Sequence, residues 1–167
     1  MSTPLPEFTL RPLAPADRDW VRAWMVVHWG SQWMAVHGQR FRMDELPGFA
    51  AVLAGEVVGL VTYSWLDGEC ELMSLDSLIE GRGIGGALVD AVRNLATRAG
   101  CRRLFLVTTN DNLNALRFYQ KRGFRLARLR PGAVTAARQI KPSISEIGEF
   151  GIPIRDEIEL EKDLELG

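Results

Sequence analysis

Residues 79–92, IEGRGIGGALVDAV, carry four glycines between a strand-like run and an amphipathic, helix-like run. These glycines are Gly81, Gly83, Gly85 and Gly86. Because a glycine in a helix costs about 1 kcal/mol relative to alanine, such a cluster must serve something other than helix stability. Backbone N–H groups that lack neighbouring Cβ atoms can approach a phosphate closely, and the helix dipole favours negative charge there. The segment therefore predicts a phosphate-binding loop.

Two common phosphate loops fit poorly. A P-loop requires Gly-Lys-Ser/Thr, whereas Ala87 and Leu88 follow Gly86. The dinucleotide pattern G-x-G-x-x-G is matched, but its fold needs a buried parallel strand before the loop and a second nucleotide-binding half after it. The preceding strand alternates instead, and only about 55 residues follow Asp111, the acidic residue after the next strand. A nicotinamide-dependent oxidoreductase therefore ranks last among the three functions that we consider for this sequence.

The remaining pattern predicts one domain over residues 1–167, with strands and helices interspersed. Residues 28–41, which Gly30 and Gly38 interrupt, predict a short helix and a loop. The alternation over 69–75 favours an antiparallel meander over a strand buried on both faces. It puts Glu69, Glu71, Met73 and Leu75 on one face and Cys70, Leu72 and Ser74 on the other. We expect strands at 7–13, within 48–78, and at 101–109, 124–130 and 152–164, helices at 17–27, 86–100 and 112–123, and a short helix and loop after 130.

Composition excludes several functional classes. The formal net charge is −1, so nothing favours nucleic acid or an anionic membrane as a partner. A basic block at 117–130 and an acidic tail at 156–165 are interpreted as two solvated faces. Cys70 and Cys101 belong to no CxxC or Cys/His cluster, which predicts no metal and a reducing compartment. No signal peptide or membrane-length apolar run is visible, so we expect a cytoplasmic protein.

Two motifs carry a family resemblance. Residues 80–86 resemble the acetyl-CoA loop of the GNAT superfamily of acetyltransferases, Q/R-x-x-G-x-G/A, with Gly83 and Gly85 on its glycines and Glu80 replacing Gln or Arg. The family's N-x-x-A-x-x-x-Y motif, followed by Gly-Phe, is matched by Asn112, Ala115, Tyr119 and Gly123-Phe124. The resemblance spans nearly the whole chain and is strongest over 69–124.

The resemblance implies both a fold and an activity. The fold would be α/β (α+β), with a mixed, mostly antiparallel central sheet flanked by helices. The activity would be N-acetyl transfer from acetyl-CoA to a primary amine by direct attack. The acceptor would be a small molecule or a peptide, and the protein a monomer or homodimer. A non-catalytic acyl-CoA-binding module is the alternative.

The resemblance also implies site residues. Tyr119 would protonate the departing thiolate, and the two ordinary pKa values, near 10 and 8.5, are close enough for this transfer. Glu71 would be the general base, with Glu69, His28 and His37 as the other choices. Trp29 and Trp33 would line the acceptor pocket or pack in the core. The residues expected to contact acetyl-CoA are Leu75, Gly81, Arg82, Gly83, Ile84, Gly85, Gly86, Asn112 and Tyr119.

Overall fold

A computed structural model describes residues 7–165 and contains one seven-stranded sheet, a separate two-stranded hairpin and four α-helices. The strands are β1 (Thr9–Pro12), β2 (Trp33–Val36), β3 (Gln39–Arg42), β4 (Gly48–Leu53), β5 (Glu56–Leu66), β6 (Glu69–Ser77), β7 (Arg103–Thr109), β8 (Arg125–Arg130) and β9 (Glu157–Asp163). The α-helices are α1 (Arg18–Trp29), α2 (Ile84–Arg98), α3 (Leu113–Lys121) and α4 (Ala133–Ile140). Short 3₁₀ turns span Pro15–Asp17, Met43–Glu45 and Glu149–Gly151. Over residues 7–165, no helix is both long and apolar enough to cross a membrane.

The central sheet has the order β1-β4-β5-β6-β7-β9-β8, and all its pairings are antiparallel except β6 with β7. This confirms the expected mixed, mostly antiparallel sheet flanked by helices. Strand β6 pairs with β5 in the expected antiparallel meander, but it also pairs in parallel with β7, and the expectation that it is not buried on both faces is wrong. Its middle residues, 70–74, are buried, since layers of structure cover both faces of the sheet.

Helices α2 and α3 cover one face of the sheet, where Leu72, Leu88 and Tyr119 belong to the larger apolar core. Helix α1 covers the opposite face, where Met25 and Leu60 belong to a second core cluster. The β2–β3 hairpin and α4 lie on this second side, because Met34 packs against the second cluster and α4 contacts β2. The central strands are therefore enclosed between two helical layers.

A β-bulge at Met73 reverses the predicted facing of the residues that follow it. Thr62 pairs with Ser74, whereas Tyr63 pairs with Leu72, so Met73 has no partner of its own on β5. The extra residue shifts the two-residue alternation by one position. Leu75 therefore lies opposite the core residue Val61, on the α2 face with Leu72, and not on the face of Glu71 as predicted.

Residues 33–42 form a β-hairpin, so the helix and loop predicted for this region are wrong. Strands β2 and β3 pair from Trp33–Arg42 to Val36–Gln39, leaving a two-residue turn. Its residues, His37 and Gly38, have φ values of 54° and 68°. Two successive positive φ angles are typical of a type I′ turn, which matches the twist of a hairpin. Because a histidine occupies the first position, the sequence lacks the Asn-Gly or Asp-Gly pair that usually indicates such a turn.

The basic block and the acidic tail meet each other, which corrects the interpretation of two separate solvated faces. Strand β8 pairs with β9, and the arginines of β8 and β7 bond the carboxylates of β9. Arg103 and Arg130 both bond the buried Glu159, at 2.9 and 2.7 Å. These contacts neutralise the charge of the C-terminal strand at this edge of the sheet.

Candidate active site

A cleft opens where β6 and β7 separate. The two strands pair only over Cys70–Leu72 and Leu104–Leu106, so the following residues of both strands diverge. A cavity of about 320 Å³ occupies the gap. Of the residues predicted to contact acetyl-CoA, this cavity is lined by Leu75, Gly85, Asn112 and Tyr119. In the part of the chain that the structure describes, the β7-facing edge of β6 beyond Leu72 has no strand partner, so its backbone groups are available to an extended ligand.

The glycine loop reaches the N-terminus of α2 beside this cleft. Gly81 and Gly83 have φ values of 74° and 75°, in the left-handed region that favours glycine. Gly83 is the N-cap of α2, and no side chain caps the helix there. A Cβ atom built on either glycine would meet no atom of residues 7–165 within 4 Å, so these residues leave the surface of the loop open. The first turn of α2 can therefore present its N–H groups to a phosphate.

The last two glycines of the loop have a packing role that the sequence did not reveal. A Cβ on Gly85 would lie 3.3 Å from the Phe118 ring, and one on Gly86 would lie 3.3 Å from Arg122 Nε. The Arg122 guanidinium itself lies 3.6 Å from the centre of the Phe118 ring. Gly85 and Gly86 therefore allow α3 to pack closely against the start of α2.

The other predicted cofactor contacts differ in what they offer a ligand. The Ile84 side chain is buried and a neighbour of Gly59, so only its backbone faces the loop. Arg82 lies partly buried in the loop itself. Asn112 accepts a hydrogen bond from Ala115 N at 3.2 Å and thereby caps α3. Its amide also donates to Thr108 Oγ1 at 3.1 Å, which ties the start of α3 to the wall of the cleft.

Tyr119 lines the cleft from α3 and is 6 % exposed. Its ring makes edge contacts with Phe118 and Phe124, with centroids 5.0 and 5.3 Å away. Burial raises the pKa of its hydroxyl well above the ordinary value, and the nearby Asp76 carboxylate raises it further. The phenol is therefore neutral near pH 7.

A second cavity, which we call the acceptor chamber, adjoins the cleft on the hairpin side. Its volume is about 240 Å³. The residues that line both cavities are Trp29, Met73, Val107, Thr108 and Asn112. The rest of the chamber wall is mostly apolar and comes largely from the hairpin, α4 and the segment after α4. A molecule in the chamber could therefore reach the cleft across this shared wall.

Both tryptophans predicted for the acceptor pocket line the chamber. Trp29 Nε1 donates a 2.8 Å hydrogen bond to Asp76 on β6, which also accepts one from Trp24 at 3.0 Å. The Trp33 ring lies under the Arg40 guanidinium, 4.3 Å from its centre. Asp76 thus orients the tryptophan that stands at the junction of the two cavities.

Glu71 is only 4 % exposed and lines neither cavity. Both its carboxylate oxygens lie within hydrogen-bonding distance of His37 Nε2, at 2.8 and 2.9 Å. The hydrogen bond to Glu71 raises the pKa of His37 despite the opposing effect of burial. Glu71 and Tyr119 lie on opposite faces of the sheet, because Leu72, the neighbour of Glu71, faces the core that contains Tyr119.

The remaining groups considered as bases are not in the cavities. Glu69 bonds Arg103 at 3.0 Å and Arg102 at 3.3 Å, and the bond to Arg103 is the main cause that lowers its pKa. His28 lies exposed on α1, with its ring 4.5 Å from that of Trp24. Within residues 7–165, no three His, Cys, Asp or Glu side chains cluster as a metal site.

Glu157 is a site residue that the sequence analysis missed. It lies at the start of β9, is partly buried and lines the acceptor chamber. Within residues 7–165 its carboxylate makes no hydrogen bond or ion pair, because its cross-strand neighbour Arg130 bonds Glu159 instead. The alternating residues of the C-terminal segment did predict a strand. No pattern within that segment, however, shows that the strand lies beside β7.

Comparison with known proteins is consistent with this arrangement. Residues 16–124 match the family model of the acetyltransferase (GNAT) family. The uncharacterized protein YxbD of Bacillus subtilis is 42 % identical over 155 residues, covering 92 % of this chain and 98 % of its own. The uncharacterized protein YdhI of the same organism is 54 % identical over 133 residues, covering 78 % and 82 %.

Solved structures show the same fold at low sequence identity. A GNAT family acetyltransferase from Elizabethkingia anophelis with acetyl-CoA bound has a TM-score of 0.69 at 22 % identity, covering 94 % of this chain and 98 % of its own. An IAA acetyltransferase from Bacillus cereus has a TM-score of 0.68 at 21 % identity, covering 95 % and 100 %. At these identities the likeness concerns the fold alone.

Proposed function

Because the chain belongs to the GNAT family of acetyltransferases, we propose that it transfers an acetyl group from acetyl-CoA to a primary amine by direct attack. The observation that carries this proposal is the contact between two cavities. The cleft between β6 and β7 adjoins the acceptor chamber across a shared wall that includes Met73, Val107 and Thr108. A donor in the first cavity and an acceptor in the second would meet at that wall.

In this proposal the cleft holds the donor. The pyrophosphate of acetyl-CoA would lie on the open loop at Gly81 and Gly83, where the uncapped start of α2 favours an anion. The pantetheine arm would extend along the unpaired edge of β6 past Leu75. The relatives solved with CoA or acetyl-CoA bound have the same fold, which supports this placement.

The reaction forms a C–N bond and breaks a C–S bond. The uncharged amine attacks the thioester carbonyl carbon, the nitrogen of the tetrahedral intermediate loses a proton to solvent, and collapse of the intermediate releases the CoA thiolate. We propose that Tyr119 donates its proton to the thiolate, because Tyr119 lines the cleft and its hydroxyl is neutral. Proton donation of this kind contributes typically 10²–10⁴-fold to a rate.

A proton must also leave the amine, since an alkyl ammonium with a pKa near 10.4 is almost fully protonated at pH 7. Glu71 remains the base predicted from the family resemblance, and its carboxylate would act only after releasing His37. Glu157 already lies in the chamber wall, and its carboxylate has no hydrogen-bond or ion-pair partner within residues 7–165. We therefore propose Glu157 as the group that binds the ammonium and accepts its proton.

The test is to incubate the purified protein with acetyl-CoA and a panel of primary amines. Release of free thiol is followed, and the mass of each amine is measured after the reaction. Amine-dependent thiol release with an amine heavier by one acetyl group is expected. Tight acetyl-CoA binding with no product from any amine would favour the non-catalytic acyl-CoA-binding module. A nicotinamide nucleotide bound to the purified protein would favour the oxidoreductase.

A further inference from the structure

The wall of the acceptor chamber is mostly apolar and includes two residues of opposite charge, which form no ion pair with each other within residues 7–165. In the part of the chain that the structure describes, Lys141 and Glu157 are the charged residues among those that line it. Its apolar lining comes largely from tryptophan, methionine and branched aliphatic side chains. Such a wall suits a compact apolar body, and a charge within it is costly unless a partner of opposite charge is present.

Lys141 is a partly buried cation that has no anionic partner among the described residues. It follows α4, and its Nζ donates a 2.9 Å hydrogen bond to the Trp33 carbonyl oxygen. Over residues 7–165 it forms no ion pair. Burial lowers its pKa, and the charge that lowers it further is a second cation, Arg40. Arg40 also has no carboxylate partner in these residues and stacks on the Trp33 ring. Lys141 therefore has no counter-ion among the described residues, and an anionic group of a ligand could provide one.

Lys141 and Glu157 both line the chamber but belong to different walls of it, since Lys141 bonds the hairpin and Glu157 lies beside β7. Glu157 pairs with Thr109 across β7 and β9, next to Thr108 in the wall that the chamber shares with the cleft. Lys141 lies against Trp33, which lines the chamber but not the cleft. An acceptor whose amine points towards the thioester would therefore place its amine near Glu157 and its other end near Lys141.

On the basis of the proposed acetyl transfer, we propose that the acceptor is an amino carboxylic acid with an apolar body, whose carboxylate binds Lys141. The ammonium faces Glu157, the apolar body contacts Trp33 and Ile144, and the carboxylate supplies the missing counter-ion. A charge-assisted hydrogen bond of this kind discriminates by roughly 10- to 100-fold in binding. Polyamines and other polycationic amines would bring a second positive charge to Lys141 and bind poorly.

The experiment compares acceptors in matched pairs that differ only by the carboxylate. Phenylalanine is paired with phenethylamine, leucine with 3-methylbutylamine, and 6-aminohexanoate with pentylamine. For at least one pair, kcat/KM should be roughly 10- to 100-fold higher for the member with the carboxylate. This ratio should fall towards one in Lys141→Met and be largely retained in Lys141→Arg, which keeps the positive charge.

Two further variants separate this effect from general damage. Lys121→Met removes an exposed lysine at the end of α3, outside both cavities, and should keep the wild-type ratio. Glu157→Gln should lower the rate of both members of a pair and preserve the ratio between them. Thermal melts of all variants show whether the loss of the bond from Lys141 to Trp33 has changed the fold.

A binding measurement separates this inference from the proposed function. Titration calorimetry compares N-acetylphenylalanine with N-acetylphenethylamine, and the N-acetyl forms of the other two pairs, on CoA-saturated protein, which requires no turnover. At least one carboxylate-bearing product should bind roughly 10- to 100-fold more tightly, with the difference lost in Lys141→Met. Equal binding within every pair, or a preference unaffected by Lys141→Met, overturns the inference even if amines are acetylated. A clear preference without turnover overturns the proposed function alone.

Discussion

His37 Nε2 lies 2.8 and 2.9 Å from the two carboxylate oxygens of Glu71, so the turn of the β2–β3 hairpin is fastened to the central strand β6. The Glu71 side chain is 5 % exposed and that of His37 is 26 % exposed. A pair this shielded from solvent is screened less by salt than a surface pair. Since Trp33 and Val36 of the same hairpin line the acceptor chamber, this contact also helps to position the chamber wall.

The contact predicts a stability that declines with rising pH. Because the folded-state pKa of His37 is raised, the stabilisation is complete below the unfolded histidine value of about 6.5 and is lost as the pH rises through the folded pKa. The difference in unfolding free energy between wild type and His37→Gln should therefore shrink from pH 6 to pH 9. Urea unfolding at several pH values measures this difference. In Glu71→Gln, the His37 pKa read by NMR should move back towards 6.5, and an unchanged value would contradict the assignment.

The two carboxylates considered as base should respond differently to the same substitution. Glu157→Gln keeps the shape of the side chain but removes the proton acceptor, so kcat/KM should fall by roughly 10²–10⁴. Glu71→Gln should mainly lower the melting temperature through loss of the contact to His37. Glu56→Gln, at the exposed start of β5, is the matched control. If Glu71→Gln abolishes turnover at full folding while Glu157→Gln does not, the base is Glu71.

A substitution in the phosphate loop should weaken acetyl-CoA binding more than an equally strained substitution elsewhere in the chain. Gly83→Val puts a branched side chain at φ 75°, where the backbone would meet the pyrophosphate, and should weaken acetyl-CoA binding by at least about tenfold. Gly55→Val is the control, because Gly55 has a φ of 83° and equally open surroundings in the β4–β5 turn. Calorimetric Kd values for the folded variants measure the effect. Equal affinities in the two variants would remove the loop from the site.

Tyr119→Phe tests the proton donor. The ring and its contacts with Phe118 and Phe124 remain, so stability and acetyl-CoA affinity should change little. If the hydroxyl protonates the thiolate, kcat should fall by roughly 10²–10⁴. A solvent-isotope comparison is needed as well, because slow product release could hide the loss. Near wild-type turnover with chemistry shown to be rate-limiting would leave the thiolate's proton to water.

Features that depend on short spacings could be predicted from the sequence. Asn112 caps α3 because its side chain needs only the N–H of Ala115, three residues away. The turn between β5 and β6 lies at Asp67-Gly68, a dipeptide that favours two successive positive φ angles. His37-Gly38 adopts the same geometry, yet a non-glycine residue with positive φ is rare enough that the apolar residues around it indicated a helix.

Features that depend on tertiary pairing could not be predicted. The bulge at Met73 is a mismatch between two strands, so no period within β6 alone reveals that Leu75 changes face. Glu157 and Lys141 come from separate segments and become site residues only when β9 and the end of α4 reach the same chamber. The contact between His37 and Glu71 likewise depends on the folding of the hairpin onto the sheet.

Steady-state kinetics with both substrates varied test most directly whether the two adjoining cavities hold donor and acceptor together. The buried cysteines offer no nucleophile for a covalent route, since burial raises the pKa of Cys70 to about 12 and also raises that of Cys101. Direct attack in a ternary complex predicts intersecting double-reciprocal lines and no acetylated enzyme by intact mass. Parallel lines, with a stoichiometric acetyl-enzyme when the amine is omitted, would contradict the account.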